Sequence, residues 1–200
     1  MKRMSQQDEI IKYLNKNGGQ ITSKTTNSMG ISSRVLRNMY AHGQLERLAP
    51  GVYIDPLEFG DDIAALQYRL SKGVFFKDTA LFLYGMIDRT PSTYEMNFPL
   101  PYAYSTKTNA PIKIYRQKKE LYEIGITTTK TPGRHPVKVY NIERTLCDIL
   151  RARDRSDAET IKQAMNSYVH RKGKNLHKLM EYARIFKVEE EIRTYMEVLL

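Results

Sequence analysis

Cysteine occurs once in the 200 residues, at position 147, and tryptophan is absent. A single cysteine excludes an intramolecular disulfide and a cysteine-cluster zinc site. Cys147 sits in Ile142-Glu143-Arg144-Thr145-Leu146-Cys147-Asp148-Ile149-Leu150, apolar at helical spacing, so it reads as a buried packing residue and not a nucleophile. Long apolar runs are missing too. None approaches the ~20 residues a bilayer span needs, which speaks against a membrane partner. Met1 through Asp8 carries positive charge with no apolar segment behind it, unlike a signal peptide, and the resulting reading is cytoplasmic. Acidic residues are the scarcer charge, 22 against 32 basic, for a net charge of +10. That imbalance favours a polyanionic partner such as nucleic acid.

Enzyme signatures are also missing. There is no Gly-x-x-x-x-Gly-Lys phosphate loop and no Gly-x-Ser-x-Gly elbow. His42, His135, His170 and His177 show no metal-ligand spacing, and no Pro-Asp…Glu-x-Lys pattern occurs. The expectation is a protein without catalytic residues, metal or cofactor.

What is present begins with Ser5 and Asp8, spaced as a capping box ahead of Ile10, Ile11 and Leu14 on one helix face; Gly18-Gly19 ends that helix. Gln20-Ile21-Thr22 reads as a short strand. Thr22 or Ser23 caps a second helix running to Met29, and Gly30 breaks it. Ser32 caps a third, with Val35, Leu36 and Met39 turned inward and Gly43 at its end. The period then drops to two. Leu45 to Leu48, a turn at Ala49-Pro50-Gly51 and Val52-Tyr53-Ile54 make a hairpin.

This order is that of a winged helix-turn-helix over residues 1–56. Arg34, Arg37, Asn38 and Ala41 form an i, i+3, i+4, i+7 stripe on the outer face of the third helix, joined by Ser33. Arginine can bind guanine and asparagine adenine through two hydrogen bonds each in the major groove. No acidic residue occurs from Ile10 through Leu45 to repel phosphates. Ser23, Lys24, Thr25, Ser32 and the second helix's N-terminal amides are candidates for phosphate contacts, and Arg47 for contacts from the wing. A solvated basic face is the competing reading of any one such helix; agreement of helix, turn and hairpin favours DNA. Tyr53 reads as core and His42 as a helix-end residue.

Residues 57–200 are expected to form a mixed α/β C-terminal domain with a small sheet and a helical end, making the whole chain α+β. Helices are predicted over 61–70, 77–84, 142–151, 157–170, 174–186 and 188–198. Strands are predicted over Tyr94–Phe98, Ile112–Tyr115, Glu123–Ile126 and Val137–Tyr140. Two basic clusters are candidate partner surfaces: Lys113, Arg116, Lys118 and Lys119, with Lys107 and the interleaved Tyr104; and Arg171, Lys172, Lys174 and Lys178. Solvated surface is the alternative for both.

Four segments in order carry a family resemblance. Gly43-Gln44-Leu45-Glu46-Arg47-Leu48-Ala49-Pro50-Gly51-Val52-Tyr53 is similar to the wing of the AbiEi antitoxins of bacterial type IV toxin–antitoxin systems, which act in abortive phage infection. Thr79 to Met86, Asp88-Arg89-Thr90-Pro91 and Glu143-Arg144-Thr145-Leu146-Cys147-Asp148 extend the resemblance over residues 5 to 150. Asp78 departs from the pattern, where serine or histidine is expected. The resemblance implies a repressor that binds double-stranded promoter DNA at inverted repeats and opposes a nucleotidyltransferase toxin, with or without a direct complex. Lacking a leucine-rich heptad or an apolar stripe, the chain is expected to be a monomer off DNA. Two alternatives stay open: a ligand-responsive winged-helix transcription factor, and a nuclease targeted by its winged helix.

Overall fold

The computed structural model describes residues 4–103, 111–152 and 155–199. Lys107 and Tyr104 lie outside them. The chain is α+β with two sheets. It divides into two compact units: residues 1–71 with 130–136, and residues 72–129 with 137–200.

In the N-terminal unit, α1 (Gln6–Lys16) opens with a reciprocal cap: the Asp8 amide donates to Ser5 Oγ and the Ser5 amide to Asp8 Oδ2, each at 3.1 Å. Helix α1 ends where the Gly19 amide reaches back to the Leu14 carbonyl, a closure that needs the positive φ of Gly18 and Gly19. Strand β1 (Gln20–Thr22) leads to α2 (Ser23–Ser28) and α3 (Arg34–Ala41). Strands β2 (Glu46–Ala49) and β3 (Val52–Ile54) form a hairpin turning at Gly51, where φ is +78°. The sheet order is β1-β3-β2, antiparallel throughout. Ile10, Leu14, Ile21, Ile31, Leu36, Met39, Leu45 and Tyr53 form its core.

The compact unit runs on past residue 56, where the sequence reading put its boundary. Helix α4 (Asp62–Arg69) and the turn at 130–136 belong to the N-terminal unit as well. Buried Asp61 explains why. Its Oδ1 caps α4 through the Ala64 amide at 2.9 Å, and its amide donates to Gln20 Oε1 at 3.0 Å. Its Oδ2 accepts from the Thr131 hydroxyl and lies 2.8 Å from His135 Nδ1. His135 Nε2 in turn lies 2.9 Å from the Asn17 carbonyl at the end of α1. Burial raises the Asp61 carboxyl, but the bonds from His135, Thr131 and Ala64 outweigh it and hold the group below the usual carboxylate range.

The C-terminal unit carries a five-stranded sheet, order β6-β5-β4-β8-β7, from β4 (Val74–Phe75), β5 (Tyr94–Pro99), β6 (Ile112–Gln117), β7 (Ile126–Lys130) and β8 (Pro136–Tyr140). Strand β4 pairs antiparallel with β5 and parallel with β8, and β5 pairs parallel with β6. The strand expected over Glu123–Ile126 is instead the end of a short helix, α6 (Lys119–Glu123), followed by a turn at Gly125 with φ +77° and then β7. Helices α5 (Lys77–Leu83), α7 (Ile142–Leu150), α8 (Ala158–Val169), α9 (Leu176–Phe186) and α10 (Glu189–Leu199) complete the unit. Every residue of α7 from Glu143 to Leu150 is buried, with Leu146, Cys147, Ile149 and Leu150 in a core shared with α5, α8, α9 and α10.

Candidate nucleic-acid interface

Helix α3 packs through Leu36 and Met39, with Val35 half-buried, and so presents Arg34, Arg37, Asn38 and Ala41 to solvent. Neither Arg34 nor Arg37 has an ion-pair or side-chain hydrogen-bond partner among the described residues. Tyr40 is exposed beside them, its ring edge-on to Tyr53 at 6.2 Å. The buried tyrosine at 53 meets the expectation for a core residue, and His42 bonds the Asn38 carbonyl at 2.7 Å at the helix end.

The start of α3 differs by one residue from the sequence reading. Ser33 flanks the helix without a side-chain cap, while the Ser32 hydroxyl accepts from the Arg34 amide at 3.3 Å. Both serines stand at the helix N-terminus beside Arg34. The turn before them is closed by the Ile31 amide on the Thr26 carbonyl at 3.1 Å and by Gly30 at φ +76°.

Helix α2 starts at one of its two expected caps, and what differs is the use of its first amides. Its cap is Thr22, whose hydroxyl accepts the Thr25 amide at 3.1 Å and meets the Thr25 hydroxyl at 2.9 Å. The Ser23 amide donates to the Gly51 carbonyl at 2.8 Å. Two of the amides expected to hold phosphate are therefore already spent inside the fold. Lys24 is exposed and carries a charge that an anion can meet. Arg47 is exposed on β2, paired in register with Tyr53 of β3.

Several residues of the two basic clusters have partners of their own. Lys113 lies 3.8 Å from Glu95, and Lys119 lies 3.8 Å from Glu123 one helical turn on. Arg116 donates to the Tyr102 carbonyl at 3.4 Å, and Lys118 is exposed at the start of α6. Lys174 donates to the Val169 carbonyl at 2.9 Å, closing the end of α8, and Arg171 donates to the Tyr84 carbonyl after α5 at 3.4 Å. Lys178 sits 5.6 Å from the Tyr182 ring centre. Lys172 is exposed.

Arg144 and Asp148 form an i, i+4 ion pair at 2.6 Å, with both side chains fully buried. Arg144 also donates to the carbonyls of Leu121 and Ile124 and to Gln117 Oε1, at 2.7, 3.1 and 2.7 Å. Its guanidinium lies 3.8 Å from the Phe186 ring centre. Burial pushes the Cys147 thiol far above its ordinary range, so it is inert at neutral pH.

Leu57 and Phe59, on the loop after β3, are almost fully exposed, a feature the sequence reading overlooked. No helix among the described residues is long and apolar enough to cross a membrane.

No family model and no curated protein matches the chain. The crystal structure of the RV2827C protein from Mycobacterium tuberculosis is similar to it, with a TM-score of 0.48 and 11% identity, covering 100% of this chain and 82% of that one.

Proposed function

We propose that the N-terminal unit is a winged helix-turn-helix that binds double-stranded DNA, with α3 in the major groove and the β2–β3 hairpin as the wing. The supporting observation is the outer face of α3: Arg34, Arg37 and Asn38 stand exposed while Leu36 and Met39 fix the helix from behind. An arginine held on a rigid helix and not engaged by the protein's own carboxylates is available for guanine or phosphate. The acid-free stretch from Ile10 through Leu45 leaves that face without repulsion.

The wider function follows the resemblance of the four sequence segments. In this reading the protein is an antitoxin that represses its own operon at inverted repeats and counteracts a nucleotidyltransferase toxin. It uses no metal or cofactor of its own and performs no catalysis. Gel shifts of the full chain on the DNA upstream of its own gene test the repressor half; saturable binding that resists random competitor is expected. Growth on co-expression with the adjacent open reading frame tests the antitoxin half. Binding no tighter than to random duplex rejects the first, and toxicity unrelieved by the protein rejects the second.

A further inference from the structure

The C-terminal unit contains a cavity of about 390 Å³ that the DNA reading does not use. Its wall is built from the first turn of α5, the segment leading into β5, strand β6 and the start of α8. The volume is at the small end of the range for metabolite sites, roughly 300–1,000 Å³.

Both signs of charge line it. Glu95, on β5, is buried at the wall and already engaged: it accepts from the Asp78 amide at 3.0 Å and the Tyr115 hydroxyl at 2.6 Å, with the Lys113 ammonium 3.8 Å away. Burial and the neighbouring Asp78 charge raise its carboxyl above the usual range. Asp78 differs. Its Oδ1 accepts the Ser156 hydroxyl at 2.6 Å, while its Oδ2 has no hydrogen-bond partner among the described residues. Arg89, on the same wall, is exposed and likewise without a partner among them. Lys77, just before Asp78, is buried with φ +47°, a left-handed backbone that a non-glycine residue holds only when its surroundings impose it.

Asp157 and Glu159 at the start of α8 add two more carboxylates to the wall, so open carboxylate oxygens on Asp78 and Glu159 face one open guanidinium, on Arg89, and a ligand carrying both charges can meet both. A purely anionic ligand meets Asp78, Glu95, Asp157 and Glu159, and a purely cationic one meets Arg89 and Lys113. We propose that this cavity binds a small zwitterion of the amino-acid class, its ammonium on Asp78 and its carboxylate on Arg89 with Lys113 beside it. This inference is independent of DNA binding.

Isothermal titration of the full chain tests it, using the free L-amino acids at millimolar concentration, 1,4-diaminobutane as a cation-only probe and succinate as an anion-only probe. At least one amino acid should bind one-to-one, and each single-charge probe about tenfold or more weaker, since a charged hydrogen bond is worth roughly 1.5–3 kcal/mol. Arg89→Gln, at an exposed position where folding is not at stake, should weaken amino-acid binding by about tenfold or more. Asp78→Asn should do the same with unchanged circular dichroism. Absence of binding by every amino acid overturns the proposal. So does equal binding of diaminobutane, or amino-acid binding undiminished in Arg89→Gln.

Discussion

Helices α3 and α7 are close in length, eight and nine residues, and both carry arginine, yet they put it to opposite uses. In α7, Arg144 is fully buried and every nitrogen of its guanidinium is bonded inside the fold. In α3, Arg34 and Arg37 face solvent with no internal partner among the described residues. Charge in a sequence motif therefore says little about function until its surroundings are known. The buried arginine organises a core, joining α7 to the α6 region and to β6. The exposed ones are held in place by apolar neighbours and left free to meet something else.

The contrast is broken most forcefully at Arg144. Arg144→Met leaves the Asp148 carboxyl buried without its main partner, at a cost of about 3–5 kcal/mol in unfolding free energy. Denaturant unfolding of the full chain measures it. The double variant Arg144→Met/Asp148→Leu should recover most of the loss, because it removes the stranded carboxyl as well. Substitutions at Arg34 or Arg37 should stay within about 0.5 kcal/mol of the parent protein.

Asp61→Ala comes next. It removes the α4 cap and the anchor for Thr131 and His135, an expected loss of about 1–3 kcal/mol for the N-terminal unit. The same carboxylate makes that unit acid-sensitive. Because its folded-state value is depressed, its contribution is complete above the unfolded value of about 3.9 and is lost as pH falls through the lower folded value. Stability followed below about pH 4 should therefore decline less steeply in Asp61→Ala than in the parent. A fragment of residues 1–56 lacks this whole arrangement and should be less stable than one that retains it.

Much of the N-terminal unit was legible because its signals are local. Ser5 and Asp8, Gly18-Gly19, Thr22, Gly30, Gly43 and Gly51 all act within a few residues of themselves, and each marks a boundary close to where the structure places it. The Asp61–Thr131–His135 arrangement was not legible, since 70 or more residues separate Asp61 from its partners and no periodicity announces them. Strand β4 was missed for another reason. It is two residues inside a continuous apolar run, paired on both edges and buried on both faces, so alternation never shows. At α6, alternation misled, because Leu121, Tyr122 and Ile124 anchor a short helix as readily as a strand. Of the candidate interface, the α3 face was readable from helical spacing. The use of the Ser23 amide within the fold was not, and neither was the capping work of Arg171 and Lys174.

That capping work changes how the basic surface should be tested. Reversing Arg171 and Lys174 also strips helix ends of their donors, so Lys118→Glu/Lys172→Glu is the cleaner variant. It should fold normally and lower rescue under toxin induction if the surface meets an anionic partner; full rescue returns these lysines to solvated surface. The smallest expected effect is at Lys24. Lys24→Ala should weaken cognate and random duplexes alike and reduce the salt slope of binding by about one unit, as measured by titration at several ionic strengths.

The central claim is that α3 reads DNA. Fluorescence anisotropy of the full chain and of Arg37→Ala, on the operator duplex and on a random duplex at matched salt, tests it most directly. The account predicts that the variant loses about 1–3 kcal/mol of binding on the operator and much less on random DNA, with its fold unchanged. Equal affinity of parent and variant for the operator would contradict it.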